Sequence, residues 1–259
     1  VLFWGSGVLK EGVVIFSMGL LIWSLFKVVE KPNVKHLSVL IFSILMLLFI
    51  KVYVIIALAP GIIGFILLTK KNRWNPLVVY LSIAITGSLI SLGVHNKIPQ
   101  VDIITKLHFK NIDFIKMSER TRSNSAFYIT RLNNNPIEFV KMIPSALTNT
   151  TFRPFIWESK SAMMLLNSLE NITLFLFGTL CLLVSKKRAN IDFKLVGFCL
   201  TFIIILYLFI GWTTPISGAI VRYKIPAWPF FMILSLLILD EQKLYSKLPF
   251  LEKLNVKIK

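Results

Sequence analysis

Apolar residues in this chain come in long runs separated by short clusters of Lys, Arg, Asn and Pro, and the run lengths set the first expectations. About 20 apolar residues in helix cross roughly 30 Å of hydrocarbon, and about 17 suffice. By that measure Val13–Phe26, Leu77–Val94, Asn171–Val184, Leu195–Trp212 and Trp228–Leu239, each extended by flanking residues, predict membrane spans. The stretch from Leu37 to Thr69 is too long for one crossing and is interrupted by Lys51 and by Pro60-Gly61. Both its ends are basic, with Lys27, Lys31 and Lys35 before it and Lys70, Lys71 and Arg73 after it, so they belong on one side of the membrane. That parity requires an even number of crossings, read here as two short helices turning near Lys51. The expected fold is all-α, a polytopic transmembrane helical bundle of about seven spans.

Composition agrees with this class. A content of 56% hydrophobic and 13% aromatic residues, with a mean hydropathy of +0.75, exceeds what a soluble domain carries. The formal charge of +17 does not point to nucleic acid, because the basic residues punctuate apolar segments instead of forming one stripe. Their partners are expected to be membrane lipids. Cys181 and Cys199 fall inside apolar runs, where thiols act as small hydrophobes, so no disulfide framework or metal spacing is signalled.

The positive-inside rule places the basic loops at 27–35, 70–75 and 186–194 and the tail at 241–259 in the cytoplasm. Residues 1–12, the turn at Lys51, the loop from His95 to Leu166 and the segment 213–226 then face outward. The long loop holds ten Lys and Arg, but loops beyond about 60 residues translocate largely regardless of charge. The expected organisation is four spans in 1–94, an extracytoplasmic loop domain of about 70 residues over 95–166, three more spans in 167–240 and a basic tail over 241–259. Leu244, Leu248, Leu251, Leu254 and Ile258 interleave the lysines of that tail and suit the inner leaflet. The chain opens at Val1, without an initiator Met, in what reads as a loop, so a fragment lacking earlier spans is expected.

The long loop reads as a folded appendage. Asn135 and Pro136 have the chemistry of an N-cap and first helical residue, followed by an apolar face of Phe139, Val140 and Ile143 that ends near Pro144. Upstream, Val101, Ile103, Ile104, Leu107, Phe109, Ile112, Phe114 and Ile115 fit a strand pair or an amphipathic helix equally. Downstream, Phe152-Arg-Pro-Phe-Ile-Trp-Glu158 places aromatics where interfacial anchors sit, although Arg153 and Glu158 are not explained by anchoring.

No nucleotide-binding Gly-rich loop, Cys/His metal spacing or Gly-x-Ser-x-Gly elbow is present in the sequence, and His36, His95 and His108 are scattered. What remains is a set of ionisable and phenolic residues at the outer interface: Lys10 and Glu11, Lys51 and Tyr53, Arg153 and Glu158, and Arg222, Tyr223 and Lys224. Snorkelling and helix-end charge account for part of the first two groups. Arg222 and Lys224 lie in a short outer segment bounded by Pro215, Pro226 and Pro229, where basic residues are disfavoured and broken helix needs a protein-lined or wet environment.

Arg offers a planar fork to phosphate oxygens and Lys a mobile point charge. Arg222, Lys224, Tyr223, Arg153, Lys10 and Lys51 are therefore the phosphate- or substrate-binding candidates, with Glu11 and Glu158 as proton acceptors. That inventory suits transfer of sugar from a polyprenyl-phosphate carrier. No cofactor is evident, and a divalent metal stays compatible with the two carboxylates.

The order Phe3-Trp-Gly-Ser-Gly-Val-Leu-Lys-Glu11, Lys51-Val-Tyr53, Phe152-Arg-Pro-Phe-Ile-Trp-Glu158 and Arg222-Tyr-Lys-Ile-Pro226 resembles bacterial polytopic proteins of surface-polysaccharide assembly. Within them it is similar to membrane glycosyltransferases of the GT-C type, whose late outer Arg-Tyr-x-x-Pro segment is matched by Arg222, Tyr223 and Pro226. The resemblance implies an inner-membrane enzyme with an extracytoplasmic active face, a polyprenyl-linked sugar as substrate and other envelope-assembly proteins as partners. It also implies an acidic catalytic residue in an earlier outer loop, beyond which this chain is expected to begin, so Glu11 is not its equivalent. Members of that family often end in a soluble outer domain, where this sequence is expected to place a short basic cytoplasmic tail. A polysaccharide polymerase or ligase would need similar arginines. A transporter or flippase of lipid-linked glycans would instead place charges inside the spans, which in this sequence are nearly free of them.

Overall fold

The computed structural model describes residues 10–71, 73–121 and 124–247. Among them the regular structure is helical, with no strand and two isolated β-bridges. Among the described residues, six helices are long and apolar enough to cross a membrane, and a seventh, Val34–Ile50, is apolar but shorter. The chain is an all-α polytopic bundle, an integral membrane protein by the length and composition of these helices.

Helix α1 (Lys10–Glu30) buries Glu11, Val14, Met18, Leu21 and Leu25. That alternation of three and four residues makes one seam, and the seam places Glu11 inside the bundle as its first member. Helix α2 (Val34–Ile50) runs back along α1, capped at its start by the Asn33 side chain. Lys51 then leaves helical geometry at φ −151°, and α3 (Val52–Lys70) starts immediately. The two helices expected around a turn at Lys51 are both present. Helix α4 (Pro76–Val94) has Asn75 as its N-cap and Pro76 in its first turn.

After the segment 95–161 come α8 (Ala162–Leu183), α9 (Phe193–Thr213) and a broken span over Ser217–Ile238. This last span consists of α10 (Ser217–Tyr223), a 3-10 turn at Ile225–Ala227 and α11 (Trp228–Ile238). Helix α9 is the axis of the bundle. It packs against α3, α4, α10 and α11, and buries Cys199, Phe202, Leu206, Ile210 and Thr213 at helical spacing. Lipid tails are as apolar as these side chains, so close packing takes over the role that water exclusion plays in soluble cores. The Tyr80 ring shows how close: it fits between Gly64 and Gly197, where any Cβ would overlap it, and its hydroxyl donates to the Lys194 carbonyl at 2.9 Å.

Two sequence boundaries shift. The span read from Asn171 begins at Ala162 and takes in Glu170, and the span read from Trp228 begins at Ser217 and takes in Arg222 and Lys224. Apolar run length stops at polar residues, whereas the bundle absorbs them by pairing. Lys224 is 3% exposed and donates to Asn171 Oδ1 at 2.5 Å. The long helices are therefore less free of charge than their hydropathy implies.

The segment 95–161 is helical and docked on the bundle. It contains α5 (Ile103–Thr121), α6 (Pro136–Lys141) and α7 (Ile143–Phe152). The ambiguous apolar set at 101–115 resolves as helix. Asn135 caps α6 by accepting from the Ile137 amide, but the helix ends at Lys141, and Pro144 lies in the first turn of α7 instead of closing α6. Gly211 lets α9 approach α7 so closely that a Cβ there would overlap the Ala146 backbone. The last helix, α12 (Glu241–Lys247), covers the start of the basic tail; its residues 248–259 lie outside the described residues.

Helix order sorts the loops to two ends. Ion pairs from Glu11 to Lys51 and to Arg222 bring together the start of α1, the α2–α3 turn and α10. The other end gathers Lys194 near α4, and the contact of Ser185 with Leu239.

Candidate functional site

Glu11 is 1% exposed, and its Oε1 accepts from Lys51 Nζ and from Arg222 Nη2, each at 3.3 Å. Local sequence explains each placement. The α1 seam turns Glu11 inward, the single non-helical residue between α2 and α3 frees Lys51 to reach it, and the short α10 helix ends in Arg222. Glu11 Oε2 and the Tyr53 hydroxyl are buried with no hydrogen-bond partner. The Lys51 ammonium also lies 5.2 Å from the centre of the Tyr223 ring, a cation–π distance.

A cavity of about 880 Å³ opens on this cluster. Among the described residues its cations are Lys10, Lys51, Lys106, Lys110 and Arg222, and its one carboxylate is Glu11. Tyr53, Tyr223, Thr213 and Thr214 add hydroxyls, while Ile50, Val52, Ile56, Phe209 and Ile210 supply an apolar wall. An anionic head joined to a hydrocarbon tail matches these two surfaces.

Lys106 and Lys110 were not among the residues singled out by sequence. They come from α5, whose Ile103, Lys106, Leu107, Lys110 and Phe114 line the cavity at helical spacing. That periodicity was the available signal, but it could be used only after the segment was known to be helix.

Helix α5 is held in place by polar side chains. The fully buried Asn111 donates to the carbonyls of Trp212 at 2.7 Å and Thr130 at 3.3 Å, and accepts from the Leu132 amide at 3.1 Å. His108 Nδ1 lies 2.7 Å from the Leu132 carbonyl, and Trp212 donates to Phe139 O at 3.1 Å.

At the head of α5, Asp102 accepts from the amides of Asn96 and Thr105 and from the Thr105 hydroxyl, with His95 at 3.1 Å. Burial alone would raise the Asp102 carboxyl, but these partners outweigh it and hold the group well below the usual carboxylate range. Because the folded value is depressed, the stabilisation is present above the ordinary aspartate value of about 4 and is lost as pH falls below it. Asp102→Asn should therefore be less stable than wild type at pH 7, with the gap narrowing below about pH 4, as read by thermal unfolding across pH.

The other sequence candidates form a separate cluster. Arg153 pairs with Glu158 at 3.3 Å and stacks its guanidinium on Phe127 at 3.8 Å. Asn171 donates to the Arg153 carbonyl at 2.9 Å and receives the Lys224 ammonium. Arg153, Glu158 and Lys224 do not line the cavity, whereas Lys10, Glu11, Lys51, Arg222 and Tyr223 do. Trp157 is 80% exposed and stacks on Phe155 at 4.7 Å just before α8, the position of an interfacial anchor. The Phe3–Leu9 part of the first motif lies outside the described residues. Comparison with protein-family models, curated proteins and solved structures finds no match for this chain.

Proposed function

We propose that this cavity is the site of an integral-membrane glycosyltransferase-like enzyme that takes sugar from a polyprenyl-phosphate-linked donor in cell-surface glycan assembly. The observation that carries the reading is the union, in one cavity, of five cations, one buried carboxylate and an apolar wall. Lys51 and Arg222 hold the carrier phosphate, and the apolar wall takes the first isoprene units. The acceptor hydroxyl oxygen attacks the anomeric carbon as the bond from that carbon to the phosphate oxygen breaks. The electron pair leaves on the phosphate, stabilised by the cations, and the hydroxyl proton passes to Glu11 Oε2.

The short loops at the end of the bundle away from the cavity are basic, with Lys27, Lys31, Lys70, Lys71, Lys186 and Lys187, while most basic residues at the cavity end sit in the long segment after His95, whose length exempts it from the rule. By the positive-inside rule the end away from the cavity is cytoplasmic, and the cavity faces the extracytoplasmic side of a bacterial inner membrane. Lys224 and Glu170 lie within long helices, as a transport pathway would require, but the cavity is lined from one end of the bundle only.

The test is a sugar-transfer assay in proteoliposomes, supplied with radiolabelled monosaccharide on polyprenyl phosphate or diphosphate and a glycan acceptor. Label appearing in the acceptor is the expected result. Label that stays on the carrier while carrier-linked oligosaccharides become joined would assign a polymerase. Label that crosses the bilayer unchanged would assign a transporter.

A further inference from the structure

Glu11 offsets one of the two cations that share its oxygen, so Lys51 and Arg222 together leave a single net positive charge beside it. Lys10, Lys106 and Lys110 raise the excess along the cavity to four. A sugar joined to its carrier through one phosphate brings one negative charge, and through a diphosphate it brings two. The lysines on α5 are what exceed the first case.

Lys106 and Lys110 are also an i, i+4 pair of like charge, an arrangement that disfavours the helix. The acidic residues of α5, Asp113 and Glu119, are absent from the cavity lining. The Lys106 ammonium donates to the Gln100 carbonyl, and the Lys110 ammonium sits 5.8 Å from the Phe114 ring centre. Both side chains are exposed, on long stems that can turn toward the cavity. Their helix is pinned to the end of α9 by Asn111, so the pair faces the Glu11 cluster from a fixed wall.

We infer that the cavity reads a diphosphate carrier lipid in two tiers, with one phosphate at Lys51 and Arg222 and the second at Lys106 and Lys110 of α5. This rests on the reading of the cavity as a carrier-phosphate site and adds which carrier linkage it takes. Lys106 and Lys110 are specificity-determining binding residues in this scheme. They discriminate between two anions that share the same tail.

The test compares a hexosyl farnesyl phosphate, with one negative charge, and a hexosyl farnesyl diphosphate, with two, for binding to the purified chain in phosphatidylcholine nanodiscs, by calorimetry at fixed ionic strength. Wild type should prefer the diphosphate by about tenfold or more. Lys106→Gln with Lys110→Gln should reduce the preference to within about threefold by weakening the diphosphate more than the monophosphate, and the fold should survive because exposed substitutions rarely perturb folding. Lys106→Arg with Lys110→Arg should restore the preference. Equal affinities in wild type, or a preference that survives the double Gln substitution, would overturn the inference while leaving the carrier-phosphate reading intact. Failure of wild type to bind either probe would overturn both.

Discussion

Glu11→Gln is expected to destabilise the protein by about 3–5 kcal/mol, the usual consequence of removing one partner from a buried ion pair. The Glu11 side chain is 1% exposed and that of Lys51 9% exposed, so the lysine would keep its charge with little hydration and no carboxylate to offset it. Arg222 is 39% exposed and partly hydrated, so its share of the loss is smaller. The loss therefore belongs mainly to the Glu11–Lys51 pair. Combining Glu11→Leu with Lys51→Leu should recover part of it, since exchange of a whole buried pair for packed apolar residues is often close to neutral. Unfolding in detergent micelles, run as a double-mutant cycle, measures the coupling. Independent, additive effects would show that the two side chains do not support each other.

Arg222→Ala is expected to reduce sugar transfer by about 10²–10³-fold, the usual effect of removing one preorganised donor at a developing charge. Stability should change far less than in Glu11→Gln, because Arg222 is the more hydrated partner and Lys51 still faces Glu11 after the substitution. The contrast separates the two roles. Glu11 both holds the cations through Oε1 and takes the acceptor proton on Oε2, whereas Arg222 spends part of its surface on the cavity. Transfer at the wild-type rate by a folded Arg222→Ala protein would remove this arginine from the mechanism.

Much of the bundle was legible because hydrocarbon thickness fixes helix length, so apolar runs locate spans without knowledge of packing. The turn at Lys51 was legible for a different reason: two basic ends must share a side, and the lysine was the natural break. Arg222 and Glu11 stood out because charge is costly beside such runs. Lys224 was harder to place. Its basic neighbour and the nearby prolines marked the segment as outer loop, while its burial depends on Asn171, which lies far away in sequence.

Helix α5 was illegible for a physical reason. Its apolar residues satisfy both the helical and the strand period, and docking through Asn111 decides between them. Lys106 and Lys110 were hidden with it, looking like ordinary solvated charge. The same holds for Arg153 and Glu158: sequence order could show that they were unusual, but not that they pair with each other away from the Glu11 cluster.

The most direct test of the central claim is native mass spectrometry of the purified chain after incubation with a short-chain polyprenyl phosphate, for wild type and Arg222→Ala. Wild type should retain one lipid-phosphate adduct that resists collisional activation better than an added zwitterionic phospholipid, and the variant should lose that adduct. Equal retention of both lipids by wild type, or an adduct unaffected by loss of Arg222, would contradict the assignment of this cavity as an anionic carrier-lipid site.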